Sequence, residues 1–242
     1  MSAADPAAPE SDRALIEDLE VLEDMAPRHY EWVVDLVAPW LGRSVLEVGS
    51  GIGLISKLLA PRCEHLILSD YQPAYVARLH ARFAHLPHVE ARLLDLTRRP
   101  YALDGAPIDT IVCLNVLEHL DEDVAILHGL GELLPPGGRL VLQVPNLPSL
   151  YGTLDESYGH LRRYTPSLLR ERLESAGFAV AGLRRFNPLS IPGWFLTGRL
   201  LRRTRLDPGS LRIYDALVPL ARALDPLTRF AGISLLACGE RR

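Results

Sequence analysis

The chain has 242 residues, 48% of them hydrophobic and 23% charged, an ordinary make-up for a soluble globular protein with one sizeable core. Its three cysteines, Cys63, Cys113 and Cys238, lie far apart with no C-x-x-C spacing, which argues against a disulfide framework or a zinc site and suits a reducing, cytoplasmic setting. The net charge of −4 divides unevenly, with residues 1–150 carrying −11 and residues 151–242 carrying +7, yet no aromatic RNA-binding stretch, helix-turn-helix or Cys/His finger points to nucleic acid.

Residues 1–12 read as a disordered lead-in with neither the basic nor the apolar region of a secretory signal. Residues 13–42 have helical spacing, broken near Pro27 and ended by Pro39 and Gly42; Trp32 and Trp40 fall at core positions. Strands and helices then alternate. SVLEVG is a buried strand, LISKLLA opens a helix, HLILSD is a second strand, and PAYVARLHARFAHL is an amphipathic helix from Pro73. VEARLLDL and IDTIVCLN supply the third and fourth strands, residues 121–134 a helix, and PPGG a tight break before the fifth strand, RLVLQVPN. This alternation predicts an α/β fold, a mostly parallel sheet with helices on both faces.

The tail departs from that rhythm. TPSLLRERLESAG predicts a helix capped by Thr165, with Pro166 in its first turn and Gly177 at its stop. FAVAGLRRF and GISLLACGE predict an antiparallel pair. Between them, residues 187–231 form an insert with helical patches around 194–203 and 211–224, too long for a hairpin loop. No apolar run approaches the ~18 residues that span a bilayer.

The chemistry concentrates at strand ends. VLEVGSGIG (45–53) runs a strand into three glycines on alternate positions, Gly49, Gly51 and Gly53. The third glycine comes one residue too early for the dinucleotide fingerprint, and no Tyr-x-x-x-Lys pair accompanies it, which counts against a nicotinamide-dependent oxidoreductase. Asp70 closes the second strand, where a carboxylate can accept both hydroxyl protons of a ribose. Asp95 and Leu96 follow the third strand, placed for an adenine amino group and its flat face. Asn115 ends the fourth strand at the crevice where open α/β sheets bind ligands. LLPPGG precedes the fifth.

With these features the chain resembles class I S-adenosylmethionine-dependent methyltransferases, of the group that includes ubiquinone and menaquinone biosynthesis methyltransferases, over about residues 28–186. The resemblance implies a Rossmann-like seven-stranded sheet with the last strand antiparallel, one methyltransferase domain over 13–242, and S-adenosylmethionine as cofactor. It places Glu47, Gly49, Ser50, Gly51 and Gly53 under the methionine part, Asp70 on the ribose, Tyr71 beside the adenine with Asp95 and Leu96, and Asn115 near the sulfonium. Tyr30, on the helix before the first strand, is expected to close over the cofactor. A G-H-x-R-x-Y-T-like stretch recurs near the acceptor pocket of this group and makes His160, Arg163 and Tyr164 candidates for substrate contact.

Where the acceptor is a hydroxyl a general base is needed, and His160 and His119 compete for the role; no metal is expected. The segment 184–205, with Trp194 and Phe195 among arginines, reads as a lid over a hydrophobic small-molecule acceptor, an interfacial segment at a membrane, or a homodimer contact. The acceptor, whether a secondary metabolite, lipid-linked or glycan-type, stays open. So does a non-catalytic scaffold built on the same fold.

Overall fold

The computed structural model describes residues 19–101, 103, 107–228 and 230–242; the lead-in expected over 1–12 and the start of the helix expected from residue 13 lie outside them. Helical residues 19–25 lead into α1 (Pro27–Val37), which starts on a proline and buries Trp32, Val33, Val34 and Val37 along one face. The expected alternation follows: β1 (Ser44–Val48), α2 (Ser56–Leu59), β2 (His65–Asp70), α3 (Pro73–Phe83), β3 (Val89–Leu93), β4 (Thr110–Leu114), α4 (Asp123–Glu132) and β5 (Arg139–Pro145). After them come α5 (Thr153–Ser157), α6 (Pro166–Ser175), β6 (Phe178–Phe186), α7 (Ser190–Trp194), α8 (Pro208–Thr228) and β7 (Ser234–Arg241).

The sheet has seven strands in the order β3-β2-β1-β4-β5-β7-β6. Strands β1 to β5 pair in parallel, and β7 runs antiparallel to both β5 and β6, so it alone opposes the direction of the other six. The chain travels outward from β1 to β3, then returns to lay β4 on the other side of β1. The carboxyl ends of β1 and β4 therefore flank a switch-point crevice. The inner strands are apolar on both faces because helices cover both. One layer packs Leu46, Ile111, Leu142 and Phe178 against α4 and α6; the other packs Val45, Val112 and Val141 against Trp32, Leu79 and Phe186.

Local chemistry fixes the edges. The Thr165 hydroxyl accepts the Leu168 amide at 3.2 Å, capping α6, and Gly177 ends it at φ +90°. Within the insert, α7 continues as a π-helical turn over Phe195–Leu200, and α8 lies back on α1. Buried Asp215 of α8 accepts the His29 amide at 3.1 Å, Arg222 pairs with Asp35 at 2.8 Å, and Arg184 of β6 pairs with Asp225.

The entry to β7 leaves no space beside β6. A Cβ on Gly232 would lie 2.3–2.7 Å from the backbone of Phe186. Gly232→Ala should therefore force the two strands apart and lower stability by about 1–3 kcal/mol. Urea denaturation checks this, and an unchanged midpoint would show that the contact is not close in solution.

Candidate active site

The turn after β1 is built from left-handed backbone. Gly49, Gly51 and Gly53 have φ of +72°, +52° and +84°, a region that side chains disfavour. Space is short as well: a Cβ on Gly49 would meet Val116 at 2.4 Å, and one on Gly53 would meet Phe83 at 2.7 Å. The glycine spacing thus answers to conformation and packing as well as to the bare backbone expected there.

The turn is bonded to the end of β2. The Gly51 amide donates to Asp70 Oδ2 at 2.9 Å, the Gln72 amide to Asp70 Oδ1 at 3.1 Å, and the Ser50 amide to the Ser69 carbonyl at 2.9 Å. Asp70 is buried, and burial raises its pKa against those backbone donors. Beneath the turn, Glu47 is also buried and accepts the Ser56 and Ser50 hydroxyls at 2.5 and 3.1 Å. Burial outweighs these bonds and pushes its carboxyl up to about 7. Above it, Ile52 and Leu54 of the turn pack with Tyr75, Tyr30 and Leu19, so the N-terminal helices close over the glycines.

The other expected contacts border the crevice in different environments. Asn115, at φ +55°, accepts the Gln143 side-chain amide at 3.3 Å. Asp95 accepts the Thr97 amide and hydroxyl at 2.9 and 2.7 Å. Leu96 is buried among core residues, and Tyr71 is 61% exposed.

A second cluster forms where the turn after β4 meets the segment before α6. The His119 and His160 rings meet edge to face with centroids 4.9 Å apart. His160 Nδ1 lies 3.0 Å from Asp155 Oδ1, which also accepts Arg163 Nε at 2.7 Å. Asp155 is fully buried; burial pushes its pKa up, but the His160 bond and the Arg163 charge hold it below the ordinary value. Glu118, likewise fully buried, has no partner of ordinary hydrogen-bond geometry on either carboxylate oxygen among the described residues, and its Oε1 is 4.0 Å from His160 Nε2. Burial pushes Glu118 up to about 8. Burial and the neighbouring His160 hold His119 below its ordinary value.

Glu118, His119 and His160 each offer one ligand atom, all within 4.8 Å of one another, a grouping that could hold a cation and that their separation in the chain concealed. Reading the sequence for ligand spacing also passed over Glu118 and Asp155, although an acid beside His119 and another five residues before His160 were both on view.

Three residues expected at the acceptor face inward. Tyr164 is fully buried and donates its hydroxyl to Asp123 at 3.2 Å; Arg163 is buried against Asp155 and the Asn146 carbonyl. These two anchor the loop. Trp194 donates Nε1 to Asp155 Oδ2 at 3.3 Å and lies 4.9 Å from the Arg163 guanidinium, face on. Phe195 is half exposed and borders an open groove of about 570 Å³ with Tyr151, Thr153 and Glu156; the Tyr151 hydroxyl donates to the His160 carbonyl at 2.8 Å.

The raised carboxyls make stability depend on pH. In the folded chain Glu47 and Glu118 keep their protons to about pH 7 and 8, whereas unfolded carboxyls release them near 4.5. The folded state then binds more protons, so stability falls as pH rises from about 4.5 to 8. Glu118→Gln should remove its share of the slope, up to about 1.4 kcal/mol per pH unit. Urea denaturation at several pH values tests this; an identical slope in the variant would place Glu118 in water.

A family model described as a methyltransferase domain matches residues 21–182. A ubiquinone biosynthesis O-methyltransferase of Aeromonas salmonicida is 26% identical over 191 residues, 72% of this chain and 79% of that protein. A methyltransferase of Mycolicibacterium smegmatis is 34% identical over 141 residues, 57% of this chain; the match spans about half, 53%, of that protein's length. In fold, the chain is similar to the N-methyltransferase NodS of Bradyrhizobium japonicum, solved with S-adenosyl-L-homocysteine, at a TM-score of 0.60 and 16% identity, covering 96% of this chain and 99% of that one. With the seven-stranded sheet and the glycine turn at its switch point, the family match over most of the chain establishes that this protein belongs to the methyltransferase-domain family.

Proposed function

We propose that the chain transfers a methyl group from S-adenosylmethionine to a small-molecule acceptor, with a hydroxyl oxygen of a hydrophobic substrate as the receiving atom. The observation that carries this reading is the buried Asp70 carboxylate bonded to the Gly51 amide at the switch point. When bound, S-adenosylmethionine supplies a methyl group on a sulfonium, already activated for in-line displacement.

The residues present suit that cofactor. All three glycines add no side chain to the left-handed turn, and a Cβ on Gly51 would meet only Leu19, at 3.5 Å, so an amino-acid moiety can approach the turn there. Asp70 is held by two backbone amides and keeps lone pairs for ribose hydroxyls. Asp95, Leu96 and Tyr71 are assigned to the adenine, Asn115 to the sulfonium side, and Tyr30 to the cover over the turn.

Since the donor is activated, this chain's main tasks are alignment, exclusion of water and removal of one proton. His160 is the base. With Nδ1–H donating to ionised Asp155, the imidazole is fixed in the tautomer whose Nε2 can accept the acceptor's proton. As the acceptor oxygen receives the methyl group, His160 Nε2 would take up the hydroxyl proton that the oxygen gives up. The insert, residues 187–231, acts as the lid, with Phe195 as an apolar wall near the Tyr151–His160 contact. The O-methyltransferase relative of ubiquinone biosynthesis supports oxygen as the receiving atom.

Calorimetric titration with S-adenosylhomocysteine and, in parallel, NAD tests the cofactor. Binding of the former alone is expected, and binding of NAD alone would sink the reading. Asp70→Ala should weaken S-adenosylhomocysteine binding by about 1–3 kcal/mol; unchanged affinity would overturn the ribose assignment. Once an acceptor is found by transfer of a labelled methyl group, His160→Gln should lower kcat by about 10²–10⁴-fold and leave cofactor affinity in place. Unchanged turnover at saturating acceptor would remove His160 as the base.

A further inference from the structure

Most of the exposed large apolar side chains among the described residues lie between 189 and 230, within or beside the insert. The densest group sits on the π-helical turn: Phe195 is 50% exposed, Leu196 47%, Leu200 65% and Leu201 52%. Spaced at i, i+1, i+5 and i+6, they fall on one side of a turn of more than four residues. The opposite side is fixed to the protein. Gly198 is buried against Leu154, and the Thr153 hydroxyl donates to the carbonyls of Gly198 and Arg203 at 3.0 and 2.6 Å. Ser157 donates to the Thr204 carbonyl at 2.7 Å, and Arg199 to the Tyr151 carbonyl at 2.9 Å. The apolar side chains are thus held outward by a pinned backbone.

Arg199 lies among them in the chain, Arg202, Arg203 and Arg205 follow directly, and residues 195–205 contain no acid. Glu156 faces the same groove, and Asp207 accepts the Ser210 amide at the start of α8. We infer that residues 195–205 form a docking surface for an anionic lipid bilayer. The leucine side chains would sit at the level of the acyl boundary, with the Arg202 and Arg203 guanidinium groups among the anionic headgroups. Charge decides against a second copy as the occupant: a twofold contact through this patch would set the four arginines against their own images. Among the described residues no helix is long and apolar enough to cross a membrane, so the contact proposed is with the surface alone. The inference does not rest on methyl transfer, and its test does not use activity.

The test is flotation of the full chain with vesicles of phosphatidylcholine alone and of phosphatidylcholine mixed with phosphatidylglycerol. The chain should float with the mixed vesicles only, and lose that binding as salt is raised. Arg202→Ala with Arg203→Ala should weaken partitioning by about 30-fold, from roughly a fivefold contribution per arginine near an anionic surface. Leu200→Ser with Leu201→Ser should weaken it too, with thermal melting confirming that both variants fold. No flotation with either vesicle, or equal flotation with both, would overturn the inference. So would a concentration-dependent dimer that the leucine changes dissolve while vesicles go unbound, which would assign the patch to a second copy.

Discussion

Three left-handed residues within five set the geometry on which the cofactor side of this protein depends. At each, a side chain would cost about 1–2 kcal/mol in backbone strain alone, and at Gly49 and Gly53 it would also collide with Val116 or Phe83. The turn brings the Gly51 amide to Asp70 and the Ser50 amide to the Ser69 carbonyl, so the ends of β1 and β2 are tied together. It also lifts Ile52 and Leu54 against Tyr75 and Tyr30, which gives the N-terminal helices an apolar seat over the crevice. A wider turn would lose the carboxylate anchor and the cover together.

In the cluster between the turn after β4 and the loop before α6 the corresponding centre is Asp155. One buried carboxylate gathers His160, Arg163, the Gly152 amide and the Trp194 indole, and so joins the loop before α6 to the insert. A buried carboxylate surrounded by donors is retained as the ion, and its partners are located more closely than apolar packing alone would manage. Trp194 becomes a latch between two segments rather than a surface group. Its neighbour Phe195 is left at the groove.

The fold was largely legible because each signal was local. Alternating strand and helix periods, Pro73 and Pro166 at helix starts and Gly177 at a stop were enough to mark the elements, and the glycine turn with Asp70 marked the switch point. The cluster around His160 was legible only in part. Arg163 and Tyr164 are residue types that suit substrate contact as well as loop anchoring, and the anchoring partners Asp155 and Asp123 are brought near only by folding. The insert was recognised by its length and composition, yet which apolar residues turn outward depends on a π-helical turn that shifts the helical period beyond Trp194.

Asp155 and Glu118 show how hydrogen-bond donors, neighbouring cations and depth of burial together separate two carboxyls beside one histidine. Both are fully buried beside His160, and both feel the Arg163 charge. Asp155 has four donors that hold it below its ordinary value; Glu118 has no side-chain partner of ordinary hydrogen-bond length among the described residues, and burial pushes it up to about 8. An unpartnered buried carboxyl costs about 1–3 kcal/mol, a burden that native interiors seldom carry. Here it lies 4.0 Å from the histidine nitrogen assigned to take the proton. His160 is therefore held between a carboxylate kept low beside one nitrogen and a carboxyl pushed up near the other. Paired groups whose surroundings drive their pKa values apart are the arrangement that acid–base chemistry requires. In this protein the contrast arises from the turn after β4 and the loop before α6 meeting over one imidazole.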